Sequence, residues 1–308
     1  MNSGASDPVL IGLDWGTSSL RAFLIDAEGR VREQLASSDG IMQVLGRDFD
    51  AVFRVLVGPW LERRPLPVLM SGMITSRNGW VETPYVGLPL TAAELARSLA
   101  SHTTKDGFKV HFVTGVMTQG PSGPDVMRGE ETQIIGALAQ GSRDGLFVMP
   151  GTHSKWVTVR TGQIEDYATY MTGEVFAALK EHTILGTLVE PGPFDAKGFD
   201  LGVKVGLQTG CHLLHDLFKV RTLPLMEQMP KTSVAEYLSG LLIGAEVAAA
   251  TEGRDPAQTA ITIVGGNDLT NRYERALKQA GLSSTRAPED IVVKGHLMIA
   301  QSAGLVRP

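Results

Sequence analysis

A chain of 308 residues exceeds the size at which a single hydrophobic core keeps growing, so two domains of about 140 to 165 residues each are expected. Hydrophobic residues make up 43% and charged residues 20%, which excludes a disordered or fibrous chain. The formal charge of -5 excludes the broad basic surface that nucleic acid requires, and a lone cysteine, Cys211, excludes an intrachain disulfide or a cysteine-cluster zinc site.

The opening MNSGASDP has no basic start, and no run of about 18 uninterrupted apolar residues follows, so a soluble, cytoplasmic protein without a membrane partner is expected. Residues 9 to 14 and 20 to 26 read as strands, the second leading to a turn at Glu28-Gly29. DFDAVFRVLVGPWLE has helical spacing, PVLMS (67 to 71) reads as a strand, and Thr91 stands three residues before Glu94 as in a capping box. KVHFVT (109 to 114) reads as a strand, TQGPSGPD (118 to 125) as the most linker-like loop, and Val126 to Ala139 as a helix ending at Gly141. The chain then becomes extended in GLFVMPGTHSKWVTVRTGQI. Further on, Ser233 stands three residues before Glu236 at the start of a long apolar helix, whose Gly240 and Gly244 suit a close helix crossing between lobes. AITIVGGNDLTNRYERALKQAG reads as strand, Gly265-Gly266, helix, and KGHLMIAQSAGLV as a last helix. Strands alternating with helices imply an α/β fold. Cys211 is read as a buried thiol.

Gly16-Thr17 falls on Gly151-Thr152 at an offset of 135, and Ser19 falls on Ser154. In both places a hydrophobic strand precedes and an alternating one follows, the mark of an internal duplication. Glycine-containing turns expose backbone N–H groups that can cradle phosphate oxygens, and hydroxyls add donors. Asp14 stands at the end of the first strand, where a carboxylate can help hold a magnesium ion that keeps most of its waters. Its counterpart is Met149, so only the first copy carries an acid.

Other ways of holding a nucleotide are missing: no Gly-Lys-Ser/Thr loop, no G-x-G-x-x-G after a strand and no kinase-type catalytic loop occurs. His182, His212 and His215 lack metalloprotease spacing and read as ordinary surface or core histidines.

GLDWGTSSLRAF, PGTHSKWV and IVGGN resemble, in order and separation, the first phosphate, second phosphate and adenosine motifs of the sugar-kinase, hexokinase, actin and chaperone ATPase superfamily. SGMITSRNGWVETPYV, MRGEETQIIGAL, PGTHSKWV and YMTGEVFAAL further resemble the 2-dehydro-3-deoxygalactonokinase family, from about residue 9 to 304. The resemblance implies an α/β protein of two ribonuclease-H-like lobes, 1–140 and 141–308, with ATP and substrate in a cleft between them, and an ATP-dependent kinase acting on the terminal hydroxyl of 2-dehydro-3-deoxy-D-galactonate. It implies that Asp14, Gly16, Thr17 and Ser18 form the first phosphate and Mg2+ site, that Gly151, Thr152, His153 and Ser154 form the second, and that Gly265, Gly266 and Asn267 border adenine and ribose. The superfamily's catalytic base is an aspartate at the start of the helix before the second hairpin. Here that place holds Glu130 and Glu131, either an adequate base if it reaches the hydroxyl, with Glu130 favoured. Asp125 is a third candidate, and the two glutamates could also serve the helix dipole alone.

A sugar acid carries a carboxylate, which a guanidinium holds bidentately, so Arg77 is the expected partner, with Ser71, Asn78 and Trp80 around it and Arg128 in reserve. Thr172 and Glu174 are expected near the substrate, although Thr172 could simply cap its helix. Partners are expected to be limited to the sugar acid and, at most, a second copy of the chain in a homodimer. The competing readings are a kinase of another sugar or sugar acid, and a non-catalytic ATP-binding module.

Overall fold

The computed structural model describes residues 7–120, 123–142, 144–288 and 290–307, with the Asn267 side chain outside that description. The chain divides into two compact units. Unit 1 gathers Met1–Arg143, Val159–Asp166 and Pro288–Pro308, and unit 2 gathers Asp144–Thr158 and Tyr167–Ala287. Residues 288–308, at the end of the chain, thus group with unit 1.

In chain order, unit 1 contributes β1 (Pro8–Trp15), β2 (Leu20–Asp26), β3 (Val31–Ser37), α1 (Phe49–Arg63), β4 (Val68–Ser71), β5 (Tyr85–Val86), α2 (Ala92–Arg97), β6 (Ala100–Thr103), β7 (Lys109–Phe112), β8 (Gly115–Gly120), β9 (Gly123–Met127) and α3 (Glu130–Ala139). There follow β10 (Gly145–Met149), β11 (Ser154–Arg160), β12 (Gln163–Tyr170), α4 (Thr172–His182), α5 (Ala196–Thr209), α6 (Leu213–Leu217), α7 (Lys219–Leu225), α8 (Val234–Ala250), β13 (Ile261–Ile263), α9 (Asn267–Gln279) and β14 (Ser284–Arg286). The last helix, α10 (Ile291–Ser302), belongs to unit 1.

The main sheet of unit 1 runs β3-β2-β1-β4-β7-β6, and the sheet of unit 2 runs β12-β11-β10-β13-β14. The shared order, with a hairpin beside the first strand and crossovers to the next, matches the duplication seen at the two Gly-Thr turns. β1 is central: Leu10, Ile11, Leu13 and Trp15 are fully buried, as expected of a strand covered on both faces. One face carries Phe49, Phe53, Trp60 and Phe112 of the first core. On α10, His296 sits against Gly12, where an added Cβ would come within 2.6 Å of its Nδ1.

Close backbone approach explains why α10 belongs here. A Cβ on Gly136 of α3 would lie 1.7 Å from the Ile291 carbonyl, and one on Gly295 of α10 would lie 1.9 Å from that of Thr132. Only glycine permits this crossing.

In unit 2, α5 and α8 cross in the same way. A Cβ on Gly202 would meet the Tyr237 carbonyl at 2.1 Å, and one on Gly240 the Phe199 carbonyl at 2.1 Å. Gly240 and Gly244, expected to serve a crossing between lobes, therefore serve one inside unit 2. α8 lies in a stretch, Lys231–Ala250, long and apolar enough to cross a membrane by composition, yet it is mostly buried, which is the pattern of a core helix.

Several expectations are corrected. Residues 123–127 form strand β9, paired antiparallel with β8, so the described part of the presumed linker and the presumed helix start are strand instead. The helix begins only at Glu130, because Gly129 at φ +109° breaks the chain direction first. Asp125 lies in that strand and caps no helix. Thr91 and Glu94 do form the capping box. Ser233 does not cap α8 through its side chain, and Cys211 is exposed in the turn after α5.

Candidate active site

In unit 1 three segments meet at the end of β1. Parallel pairing of β1 with β4 sets Asp14 opposite Ser71. The next residue, Gly72, has φ +96°, and a Cβ there would lie 2.8 Å from the Trp15 carbonyl and 3.4 Å from Asp14 Oδ1. Gly129 comes next to it: its own Cβ would approach Gly72 Cα to 3.0 Å. Two left-handed glycines thus bring the β1 corner, the start of the SGMITSRNGW segment and the start of α3 into one place.

The Gly16-Thr17-Ser18 turn is braced from behind. Gly16 N–H donates to the Ser19 carbonyl at 2.9 Å, while the Gly16 and Thr17 carbonyls accept from Ile41 and Met42 N–H. Gly40 lies so close that a Cβ there would meet the Thr17 carbonyl at 2.3 Å. Thr17 and Ser18 are exposed. The Asp14 carboxylate is 17% exposed and pairs with Arg21 at 2.5 Å, its cross-strand neighbour in the β1–β2 ladder.

The two glutamates differ sharply. Glu131 is fully buried, accepts from Gly129 N–H at 2.7 Å and from the Thr132 hydroxyl at 3.1 Å, and has its pKa pushed up to about 8, first by burial and then by Glu130. Glu130 is half-buried and accepts from Arg128 N–H at 3.0 Å. Only Glu130 keeps a surface that a substrate hydroxyl could approach.

Arg128 is committed elsewhere. Its Nη1 donates to the Thr75 carbonyl at 2.6 Å, to the Thr75 hydroxyl at 2.7 Å and to the Thr83 hydroxyl at 2.8 Å, with the guanidinium 4.4 Å over the Tyr85 ring. It ties the 72–85 segment to α3 and is poorly placed as the reserve carboxylate ligand. Arg47 Nη2 donates to the Gly79 carbonyl at 3.0 Å and the Arg77 carbonyl at 3.3 Å, holding the tip of the same segment. Arg77 and Asn78 are exposed there. Trp80, expected around the substrate, instead packs among Trp15, Phe49, Phe53 and Phe112 because its indole completes the core. Ser71 is fully buried and its hydroxyl is 2.9 Å from His296 Nε2. Burial lowers the His296 pKa to about 4, and its Nδ1 has no partner. No sequence signal pointed to His296 or Arg47.

In unit 2 the corresponding corner leans on α4. Gly173 approaches so closely that a Cβ would lie 2.4 Å from the Gly151 carbonyl, and Glu174 N–H donates to the Thr152 carbonyl at 3.0 Å. The Glu174 carboxylate reaches His153 Nε2 at 2.5 Å, so it serves the corner itself. Thr152 and His153 are exposed, whereas Ser154 is fully buried.

Ser154 enters a buried network. Its hydroxyl is 2.8 Å from that of Tyr273, which donates to Glu246 Oε2 at 2.7 Å, while Trp156 Nε1 donates to Glu246 Oε1 at 2.7 Å. Thr172 also bonds Glu246, whose pKa is raised by burial. Thr172 and Ser154 are thereby directed inward: Met171 holds the cap position of α4. The network joins the corner, α4, α8 and α9.

At the start of α9, Gly265 has φ +151°, and a Cβ there would lie 3.4 Å from Thr270 Oγ1, a buried hydroxyl with no partner. Gly266 is exposed just before the helix. The Asn267 side chain falls outside the described residues.

The sequence profile of 2-keto-3-deoxy-galactonokinase matches residues 14–299. The chain belongs to that family. A 2-dehydro-3-deoxygalactonokinase of Escherichia coli (strain K12) is 38% identical over 282 residues, covering 91% of this chain and 93% of the relative. A crystal structure from Sinorhizobium meliloti assigned to the same enzyme superposes with a TM-score of 0.85 at 31% identity, covering 95% of this chain and 98% of that one. A ligand-bound xylulose kinase from Lactobacillus acidophilus has a TM-score of 0.50 at 11% identity, covering 97% and 90%, which speaks to the fold alone. This member of the galactonokinase family is therefore a kinase with the actin-like, sugar-kinase ATPase fold. At the start of α3 it has one half-buried carboxylate, Glu130, and one sealed in, Glu131.

Proposed function

We propose that this chain transfers the γ-phosphoryl group of ATP to the terminal hydroxyl of 2-dehydro-3-deoxy-D-galactonate, giving the 6-phosphate. The observation that carries the reading is the meeting of Asp14, Gly72 and the Gly129–Glu130 turn in unit 1. It groups a strand-end carboxylate, exposed phosphate-binding backbone and a reachable carboxylate base, as phosphoryl transfer to an alcohol requires.

The donor set fits magnesium. Asp14 presents a part-exposed carboxylate at a strand end, and glycine at 72 leaves open the space beside Oδ1 that a Cβ would enter. Asp14 would hold such an ion, with its other positions left to non-protein oxygens. When bound, such an ion neutralises charge on the phosphate oxygens.

In this mechanism the Thr17-Ser18 and Thr152-His153 turns bind phosphate oxygens through exposed N–H and hydroxyl groups. Gly265, Gly266 and the partnerless Thr270 hydroxyl border the nucleoside. Asn267 is assigned to the same border by sequence. Glu130 accepts the proton of the attacking hydroxyl at a carboxylate oxygen. Glu131 keeps the α3 start in place by accepting from Gly129 N–H. Arg77, held at the segment tip by Arg47 through its carbonyl, binds the substrate carboxylate, and Asn78 supplies a neighbouring amide. Arg21 pairs with Asp14 and so orients that carboxylate before substrate arrives.

An acceptor panel tests the assignment. With Mg-ATP, ADP release should depend on 2-dehydro-3-deoxy-D-galactonate and fall at least tenfold with other sugars and with keto-deoxy acids epimeric at one carbon. Equal turnover of another sugar would move the chain to a different substrate. ADP release without any acceptor would support the non-catalytic module.

A further inference from the structure

The two faces of the unit 1 sheet part cleanly at its centre. Ile11, Leu13 and Trp15 of β1, with Val68 and Met70 of β4, turn into the first core. Side chains alternate along a strand, so Gly12, Asp14 and Ser71 share the opposite face, where His296 of α10 meets the sheet. Phosphoryl transfer as read above leaves this histidine without a task.

His296 is fully buried and spans the two strands. Its Nε2 lies 2.9 Å from the Ser71 hydroxyl on β4, whereas its Nδ1 meets Gly12 on β1 and has no hydrogen-bond partner. That asymmetry decides the tautomer. A Cβ at Gly12 would stand 2.6 Å from Nδ1, so the glycine hydrogen in that direction is aimed toward the nitrogen. A proton on Nδ1 would collide with it, while a bare lone pair accepts a weak C–H contact. Complete burial keeps the ring neutral, so its one N–H is at Nε2 and donates to Ser71 Oγ.

A hydroxyl that accepts from His296 keeps its own proton for another group. Strand register sets Asp14 opposite Ser71 on the same face, and the Asp14 charge is felt at the His296 ring. The two Asp14 oxygens are not equivalent. Oδ2 takes Arg21, while Oδ1 lies on the side of the β4 strand end, 3.4 Å from the place of a Gly72 Cβ. Ser71 is thus the cross-strand hydroxyl available to the oxygen that Arg21 leaves open.

We propose that His296 and Ser71 are positioning residues for Asp14: His296 Nε2–H holds the Ser71 oxygen, and the Ser71 proton is directed toward Asp14 Oδ1. Arg21 and Ser71 then steady one oxygen each. This rests on the metal role given to Asp14 in the kinase reading and adds the groups that stand behind it. Partners of a ligating carboxylate set metal affinity without touching the ion.

The test combines a spectroscopic and a kinetic measurement on the full chain. Long-range 1H–15N correlation of the 15N-histidine-labelled protein, with His296 identified by its missing signal in His296→Gln, should show Nε2 protonated and Nδ1 bare. Ser71→Ala and His296→Leu should each need about 10- to 100-fold more Mg2+ for half-maximal ADP release, with the KM for the sugar acid unmoved. His296→Gln, whose amide donates from nearly the same place as Nε2, should stay close to wild type. A ring protonated at Nδ1, a Ser71→Ala enzyme with the wild-type Mg2+ requirement, or a His296→Gln enzyme as impaired as His296→Leu overturns the proposal and leaves the kinase reading intact. Wild-type protein that releases no ADP in response to Mg2+ removes both together.

Discussion

The corner at residues 14–18 and the corner at 149–153 each follow the first strand of a sheet with the same strand order, yet they are built differently. The first ends in an acid, paired with an arginine across the hairpin and flanked by two left-handed glycines from distant segments. The second has Met149 in place of the acid and is bolted down by a helix and a buried Glu246 network. A duplicated frame can therefore divide phosphate binding from chemistry. On the proposed function, one copy keeps the carboxylates assigned to the chemistry and the other is stiffened as a holder.

The contrast can be broken most severely at Glu130. Glu130→Gln should lower kcat by about 10²- to 10⁴-fold with little change in ATP affinity, measured by coupled ADP release. A variant turning over near the wild-type rate would remove chemistry from unit 1. Asp14→Asn comes next, with a fall of about 10²- to 10³-fold in kcat and a higher Mg2+ requirement in a metal titration. Should excess Mg2+ leave the variant indistinguishable from wild type in both respects, the acid in the first corner has no metal role.

On the other side, Glu246→Ala strands Trp156 Nε1 in the core and leaves the Tyr273 hydroxyl only its contact with Ser154. It should destabilise unit 2 by about 1–3 kcal/mol in urea unfolding and raise the KM for ATP, with the sugar-acid KM unmoved. A larger effect on the sugar acid than on ATP would contradict the division of labour.

The smallest effect is a pH slope. The folded pKa of Glu131, about 8, lies above its ordinary 4.5, so between those values the native state holds a proton that the unfolded chain has released. Its contribution to stability therefore declines as pH rises through that window. His296, lowered to about 4, acts oppositely and favours the folded state increasingly as pH rises from about 4 to 6.5. Glu131→Gln should flatten the decline between pH 6.5 and 8, where His296 no longer titrates. An unchanged slope would show that Glu131 is not sealed as described.

Much of the frame was legible because strand periodicity and glycine corners are local signals. β2 lies at residues 20–26 as read, and the Thr91–Glu94 capping box forms. The start of α3 was misread because VMRGEETQ continues a helical pattern through Gly129, and nothing local shows that its φ is +109°. Trp80 looked like a binding residue because it sits in a polar loop, but the chain folds the indole back among four aromatic rings. The Ser71–His296 contact joins residues 225 positions apart. The glycine crossings were visible as spacing, while their partners were not: Gly240 faces α5 of its own unit.

The place of α10 also bears on the order in which a nascent chain can mature. Its backbone fills the crossing with α3 and its His296 backs β1, so unit 1 lacks a structural wall until residues 291–302 have left the ribosome. Both segments of unit 2, residues 144–158 and 167–287, emerge earlier. The half that is translated first should thus be completed last, reversing the usual N-to-C progression of cotranslational folding.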